Sequence, residues 1–275
     1  MKAAVLLVLL FLTLGCVTQN FSNPPGTGTK NPEPLPPIPS PAPNQPIQVP
    51  PVTPPAAENL DDKPLGSLNH AYLQAAPFPK IIIEIDYIQD HEPSSSTKND
   101  IKEFFETVTK KPVTFSGGNI IVPTKDTYTV SDVWALERAN RRHYTSGDAA
   151  VVYFTFLNGE FENGGALGVA YKASSVALFV EKINDATTAL ILYSQIEEAV
   201  TMHELGHLLG LVNINYKSEK DHEDASHPGH SNNENSVMFW AVEDISLKNI
   251  LHIGPPSEFD EDDMFDIQQI KEGRY

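Results

Sequence analysis

Cysteine is almost absent from this chain of 275 residues, since Cys16 is the only one. A single thiol cannot form an intrachain disulfide, nor can it supply the set of thiolates that a cysteine-bound zinc ion or an iron–sulfur cluster needs. Basic residues are also scarce: 19 Lys and Arg stand against 36 Asp and Glu, which gives a net charge of −17. The negative charge of the protein would repel the phosphates of a nucleic acid, so we expect no nucleic acid partner.

The one signal-like segment is residues 1–16, MKAAVLLVLLFLTLGC. Its apolar run from Ala3 to Leu14 is too short for an ordinary membrane-spanning helix and is typical of a secretory signal. The end of the run resembles the lipobox of bacterial and archaeal lipoproteins, although Thr13 stands where leucine is usual. The resemblance implies a lipoprotein signal peptide, lipidation at Cys16 and a membrane-anchored protein at the cell surface or in the cell envelope. The alternative is a cleaved signal with an incidental cysteine.

Proline is concentrated in one segment, because 15 of the 23 prolines lie between Asn23 and Pro64. Proline fixes φ and removes amide donors, so this segment cannot build a packed core. We predict that residues 17–65 are a disordered linker, with a proline-motif ligand or a propeptide as the alternatives. Residues 66–275 have a globular composition and are predicted to form a single domain.

The domain sequence alternates between strand-like and helix-like patterns. Ile101, Phe104, Phe105 and Val108 have helical spacing, and Thr97 with Asp100 predicts a capping box before them. The other predicted elements are strands at Lys80–Ile88, Ala149–Phe156 and Ser174–Ile183, and helices at Ser131–Arg142, Thr187–Leu211 and Glu261–Lys271, the last with Met264, Ile267 and Ile270 facing inward. This order of elements predicts an α+β domain.

The predicted long helix ends in HELGHLLG, residues 203–210. His203 and His207 are four positions apart and share one helix face, so both imidazoles can bind one zinc ion. Glu204 is adjacent and can reach a water molecule on that ion. Catalytic zinc normally takes three protein ligands and leaves the fourth position to water, so a third ligand must lie elsewhere.

HExxHxxG followed by a distant methionine resembles the metzincin clan of zinc endopeptidases. In that clan the helix breaks at the glycine, here Gly210, and the third ligand follows three residues later. This position holds Asn213, and a neutral amide oxygen is a poor zinc ligand beside two imidazoles. An insertion that moves the third ligand further along the chain would explain the departure.

Residues 230–238 support that explanation, because they are similar to the HCxxxxCxM segment of the archaemetzincin branch. Ser231 and Ser236 replace the two cysteines, and the spacing from histidine to methionine is kept. The resemblance implies that His230, which lies 17 positions after Asn213, is the third ligand and that Met238 is the Met-turn residue. Two further histidines of the intervening loop, His222 and His227, remain alternatives, as does Asn213. The cysteine-bound second zinc of that branch cannot form here.

The same resemblance implies a fold and a mechanism. The fold would be a metzincin-like zincin domain: a twisted mixed sheet with an antiparallel edge strand, an active-site helix, a Met-turn and a C-terminal helix. One catalytic Zn²⁺ with Glu204 as general base would hydrolyse peptide bonds, with the substrate along an edge strand that we assign to Val176–Val180. Trp240 occupies the place of a tyrosine that contacts the metal in some metzincins, so we expect no tyrosine switch. We expect a monomer.

Other functions stay open at this point. One is a zinc-binding surface lipoprotein that has lost hydrolysis and acts as an adhesin or binding module. Glu204 argues against it, because binding alone needs no general base. Another is a zinc hydrolase of a non-protein amide, which the sequence does not distinguish from a peptidase. Acidic clusters at 221–224 and 258–263 are more typical of solvated loops and helix N-termini than of calcium sites, so we do not expect calcium.

Overall fold

A mixed five-stranded sheet is the framework of the chain in this computed structural model. The structure describes residues 59–122, 125–247 and 254–275, which all belong to one compact unit, Pro55–Tyr275. The predicted signal peptide with Cys16 and the proline-rich segment up to residue 58 lie outside the described residues. Among the residues described, no helix is both long and apolar enough to span a membrane.

The sheet has both parallel and antiparallel pairings. Its strands and those of a small second sheet are β1 (Lys80–Ile88), β2 (Val113–Ile121), β3 (Thr127–Tyr128), β4 (Ala149–Leu157), β5 (Glu160–Phe161), β6 (Gly168–Lys172) and β7 (Ser175–Phe179). The order is β2-β1-β4-β7-β6, in which only β6 is antiparallel to its neighbour. Ile83 pairs with Phe115 on one side and Val152 on the other, while β3 and β5 pair separately. The prediction of an α+β domain with a mixed sheet is confirmed.

Helices flank the sheet, and a predicted helix cap and a predicted inward-facing side chain need correction. The helices are α1 (Asn69–Leu73), α2 (Ser95–Thr109), α3 (Val130–Asn140), α4 (Val180–Asp185), α5 (Tyr193–Leu208) and α6 (Glu261–Lys271), with 3₁₀ turns at Leu60–Asp62 and Trp240–Glu243. The predicted Thr97–Asp100 capping box is wrong, because the hydroxyl of Ser94 caps α2 by accepting the amide of Thr97. Met264 of α6 is 40% exposed instead of facing inward.

Apolar side chains are buried on both faces of the sheet. All nine residues of β4 are buried, as expected for a central strand. Phe154 and Leu205 belong to the larger cluster, to which α2, α5 and α6 contribute. Leu157 and Phe179 belong to a second cluster with Val133 of α3. Helix α5 is therefore packed against one side of the sheet and is buried along most of its length.

The helix that carries HExxH is shorter than the predicted Thr187–Leu211. It begins at Tyr193, because the hydroxyl of Thr188 accepts two backbone amides and holds the preceding residues in a turn. It ends at Leu208, and Gly210 follows with φ of 76°, a left-handed conformation that glycine adopts without a Cβ clash. The turn after the HExxH motif is thus set by glycine.

The predicted strand Ser174–Ile183 consists of two elements. Strand β7 stops at Phe179, and α4 starts at the next residue. Val180 and Ile183 are buried three positions apart on α4, so one continuous apolar run is divided between a strand and the helix that follows it. A short apolar run fits the residue spacing of a strand and that of a helix, which is why the sequence alone did not separate the two elements.

Packed structure begins upstream of residue 66, where the domain was predicted to start. Asp61 is buried, and its Oδ1 lies 2.9 Å from the guanidinium of Arg141, whose side chain is fully buried. Arg141 also pairs with Glu137 at 2.6 Å, and the amide of Thr145 donates to Asp61. Buried charges need such partners. Residues 59–65, which the sequence analysis assigned to the linker, therefore contact the domain.

Candidate metal centre

Helix α5 places His203, Glu204 and His207 inside the domain. All three side chains are buried, and the ring centroids of the two histidines are 4.7 Å apart. This is the arrangement expected for positions i and i+4 on one helix face. Nδ1 of His203 lies 2.6 Å from the carbonyl oxygen of Val237, so this nitrogen donates and Nε2 is the nitrogen left for a metal ion.

His230 joins these residues from the loop that follows α5. Its ring centroid lies 5.2 Å from that of His203 and 4.9 Å from that of His207. Its Nδ1 lies 3.3 Å from the carbonyl oxygen of Pro228, which orients Nε2 toward the other two rings. The structure therefore brings together the three histidines that the sequence analysis proposed as metal ligands.

A carboxylate that the sequence analysis did not single out completes the cluster. Oε2 of Glu243 lies 3.6 Å from Nε2 of His203 and 3.9 Å from Nε2 of His207, and Oε1 lies 3.0 Å from Nε2 of His230. The possible ligand atoms of the four residues are all within 4.8 Å of one another. Glu243 ends the 3₁₀ turn that starts at Trp240, and no motif in the sequence marks it.

Burial and neighbouring charges shift the pKa values in this cluster. Burial, and next the charge of Glu243, raise the pKa of Glu204 well above its ordinary value. Burial and the nearby His203 lower the pKa of His207. At His230 burial is outweighed by the carboxylate of Glu243, so the pKa is raised. The neighbouring histidines overcome burial at Glu243 and hold its pKa well below the usual range. Glu204 is therefore placed where it readily accepts a proton.

The donor atoms of this cluster fit a zinc ion. Nε2 of His203 is buried without a hydrogen-bond partner of suitable geometry, because the nearest oxygen of Glu243 is 3.6 Å away. Buried polar atoms are nearly always paired, so such an atom points to a partner outside the chain. Imidazole nitrogen and carboxylate oxygen are ligands that zinc takes in proteins. The structure thus contains a His/Glu site that can hold zinc.

Met238 packs beneath the helix turn that carries the two HExxH histidines. It is fully buried, and its sulfur occupies the space beside Gly206: a Cβ at that position would lie 2.2 Å from Sδ. The carbonyl of Met238 accepts the amide of Ser231, the residue after His230. The thioether is therefore a packing group that links the loop of His230 to α5.

The other candidates for the third ligand lie outside the cluster. His222 is buried with Nε2 2.9 Å from a carboxylate oxygen of Asp266. His227 stacks on Trp240, with ring centroids 4.3 Å apart and an interplanar angle of 8°. The side-chain amide of Asn213 is hydrogen-bonded at both ends within its own loop. None of the three is positioned to act with the histidines of α5.

A second group of titratable residues lies at the start of α6. Asp260 and Asp263 form the capping box of that helix, and the possible ligand atoms of His222 lie within 4.8 Å of theirs. Burial raises the pKa of Asp263 to about 7. At His222 burial is outweighed by the hydrogen bond and charge of Asp266, so its pKa is raised. These residues connect the loop of His222 to α6.

The edge strand beside the cluster is β6, which corrects the assignment of Val176–Val180. That run lies mostly in β7, which is interior because it is paired with β4 on one side and with β6 on the other. Strand order depends on long-range pairing, which a local pattern does not encode. Gly168 of β6 approaches Glu204 closely, since a Cβ there would lie 2.8 Å from Oε1. An edge strand therefore passes next to this carboxylate.

Two solved structures are similar to this chain. The archaemetzincin from Methanopyrus kandleri, solved at 1.5 Å, is 15% identical, with 70% of this chain and 95% of that chain covered and a TM-score of 0.48. The archaemetzincin from Archaeoglobus fulgidus, solved at 1.4 Å in complex with malonate, is 16% identical, with 67% and 98% covered and a TM-score of 0.40. No family model matches the chain, and no curated protein matches its sequence. A function has to be argued from the site itself.

Proposed function

We propose that this chain is a zinc-dependent endopeptidase that acts outside the cytoplasm on protein or peptide substrates. The observation that carries the proposal is the convergence of His203, His207 and His230, with Glu204 buried beside them. Two imidazoles and an adjacent carboxylate on one helix supply metal ligands and a general base together. A site that only stored a metal ion would have no use for Glu204.

Each side chain of the site has a separate role in the proposed hydrolysis. Zinc held by the three histidines would polarise the scissile carbonyl and lower the pKa of a bound water. The carbonyls of Val237 and Pro228 hold the rings of His203 and His230 with Nε2 turned inward. Glu204 takes the proton of the attacking water and later passes it to the leaving amine. Its burial favours the protonated state that links these two steps.

Strand β6 is the proposed docking edge for the substrate. It is one of the two outer strands of the sheet, and Gly168 brings its main chain next to Glu204. A peptide that adds to this edge as a further strand would be recognised by main-chain hydrogen bonds. Such recognition suits extended segments of many sequences, so we propose unfolded or extended polypeptide as the substrate class.

We also propose that Cys16 anchors the protein to a membrane through attached lipid. The support is the lipobox-like end of the signal segment and the proline-rich spacer, which at about 3.1 Å per residue over about 40 residues would extend up to about 120 Å. A single acyl chain gives only marginal residence, so stable anchoring needs the several chains of a lipoprotein. Cys16→Ser should release the protein or leave an unprocessed precursor. Normal processing and membrane retention of that variant would reject the anchor.

The peptidase proposal is tested by mass spectrometry of an unstructured polypeptide incubated with the full chain. We expect internal cleavage that a chelator stops and added zinc restores. Glu204→Ala should keep its zinc but lose about 10²–10⁴-fold in turnover, because it removes the general base. Glu234→Ala, an exposed acid in the loop of His230, is the control and should cleave normally. Tight zinc binding with no cleavage by the parent protein would instead favour a zinc-binding lipoprotein.

A further inference from the structure

Glu243, and not Glu204, is the carboxylate that lies among the three imidazoles. Its oxygens are 3.0, 3.6 and 3.9 Å from the Nε2 atoms of His230, His203 and His207. Donor atoms bound at about 2.0–2.1 Å around a tetrahedral zinc ion are separated from one another by about 3.3 Å. The separations from Glu243 lie near that value, with Oε1 closest to His230 and Oε2 closest to His203 and His207. The carboxylate of Glu243 therefore lies where it can supply a fourth donor atom to a metal ion held by the three imidazoles.

A carboxylate in this position would exclude water from the metal. Catalytic zinc sites keep the fourth position open for water, whereas sites with four protein ligands are closed. While Glu243 holds that position, the water that Glu204 should deprotonate has no place at the metal. Hydrolysis would then require the carboxylate to leave first.

Glu243 is also the donor best able to leave. Its side chain is 29% exposed, against 0% for His203, 9% for His207 and 14% for His230. Its main chain is fixed, because its carbonyl accepts the amide of Leu167 at 2.7 Å. Rotation of the side chain toward solvent can therefore open the fourth position without moving the backbone. Two of the histidines are tethered through Nδ1 and have no such freedom.

We infer that Glu243 is a fourth protein ligand of the metal, which closes the resting site and withdraws toward solvent before a peptide is hydrolysed. The gating step rests on the proposed peptidase function, whereas coordination by Glu243 does not. Exchange of the carboxylate for water breaks one metal–oxygen bond and forms another, so no further reactant is needed. The carboxylate of Glu243 would thus set the fraction of molecules whose metal can bind the attacking water.

The test uses the full chain loaded with Co²⁺ in place of zinc, because the visible spectrum of Co²⁺ reports its ligands. The parent is compared with Glu243→Gln, Glu243→Ala and the exposed control Glu234→Gln, with acetohydroxamate as a small external ligand. Zinc affinity is measured separately by competition with a chromophoric chelator. Far-UV circular dichroism checks that each variant is folded.

Loss of a ligand should weaken zinc binding by about tenfold or more in both Glu243 variants. Acetohydroxamate should bind these variants about tenfold more tightly than the parent, because a site closed about 90% of the time lowers apparent affinity by that factor. Glu234→Gln should match the parent, and peptide turnover should rise in Glu243→Ala.

Unchanged zinc and hydroxamate affinities in both Glu243 variants would overturn the inference and leave Glu243 as a counter-ion of the histidines. Higher affinity for hydroxamate together with lower peptide turnover in Glu243→Ala would overturn the gating step. If no variant or parent cleaves peptide, the proposed function fails while the two affinity measurements still decide whether Glu243 coordinates. The two failures are therefore distinguishable.

Discussion

Residues that never touch the metal fix the geometry of the site. The carbonyl of Val237 orients His203, and the next residue, Met238, fills the space under α5 beside Gly206. Position 206 has to be glycine for this contact, because a methyl group there would lie 2.2 Å from the methionine sulfur. A methionine and a glycine 32 positions apart are thus mutually dependent.

Gly206→Ala should destabilise the domain by about 1–3 kcal/mol through overpacking and should weaken zinc binding. Met238→Ala should also destabilise it, by leaving a cavity. The double variant should lose less than the sum of the two single losses, because removing the thioether makes room for the added methyl group. Urea denaturation of the four proteins measures this coupling. Strictly additive losses would show that the two residues do not interact as described.

Among the residues of the site, sequence reasoning identified those that belong to a local sequence pattern. His203, Glu204 and His207 follow from helical spacing, whereas His230 was implied by the resemblance of residues 230–238 to the HCxxxxCxM segment. Glu243 could not be found in this way. Its position depends on the contact of its 3₁₀ turn with residues 165–167, which lie far away in sequence.

At the scale of secondary structure, elements with a strong local signal were predicted well and those set by pairing were not. Strand β1 and helix α6 have the predicted bounds. Strand β2 was missed because VTFSGGNII contains two glycines, which weaken a strand pattern. Gly117 has φ of 100°, and a Cβ there would lie 2.2 Å from the carbonyl oxygen of Ile85. Glycine is needed for the close approach of β2 to β1.

The contact between α6 and the loop of His222 should weaken as the pH rises. The pKa of His222 is raised in the folded state, so its stabilising effect is present at low pH and is lost as pH rises through that folded value. Asp263 has its pKa raised to about 7 by burial, so the fold favours its protonated form and loses stability as pH rises from about 4 to about 7. Both groups therefore make the folded state less stable as the pH rises.

We therefore expect the free energy of unfolding to fall from about pH 4 to about pH 7 through Asp263 and above about pH 6.5 through His222, with a slope of up to about 1.4 kcal/mol per pH unit for each proton released. Asp263→Asn should flatten this dependence, because an amide keeps the shape but does not titrate. Glu261→Gln, an exposed neighbour on α6, should leave the slope unchanged. If the free energy of unfolding of the parent and of Asp263→Asn had the same pH dependence, Asp263 would not be the titrating group.

At the scale of the whole chain, a buried ion pair joins the end of the proline-rich segment to the domain. Asp61 and Arg141 are 80 positions apart, and their side chains are 1% and 0% exposed. The sequence placed the start of the domain at residue 66 because composition changes there. Composition does not show that one carboxylate upstream of the boundary neutralises a buried guanidinium.

Asp61→Ala should destabilise the domain by about 3 kcal/mol, the lower end of the range for breaking a buried ion pair, because Glu137 still pairs with Arg141. The exposed neighbouring variant Asp62→Ala should change stability by no more than about 0.5 kcal/mol. Urea denaturation of the full chain compares the two. Equal, small effects would place residues 59–65 outside the cooperative unit.

The central claim is that α5 and the loop that follows it as far as Met238 form one zinc site through His203, His207 and His230. The most direct test is zinc affinity, measured by chelator competition on the full chain for the parent, His230→Ala and His227→Ala. We expect His230→Ala to bind zinc at least about 100-fold more weakly and His227→Ala to match the parent. Full affinity in His230→Ala, with loss in His227→Ala, would contradict the site described here.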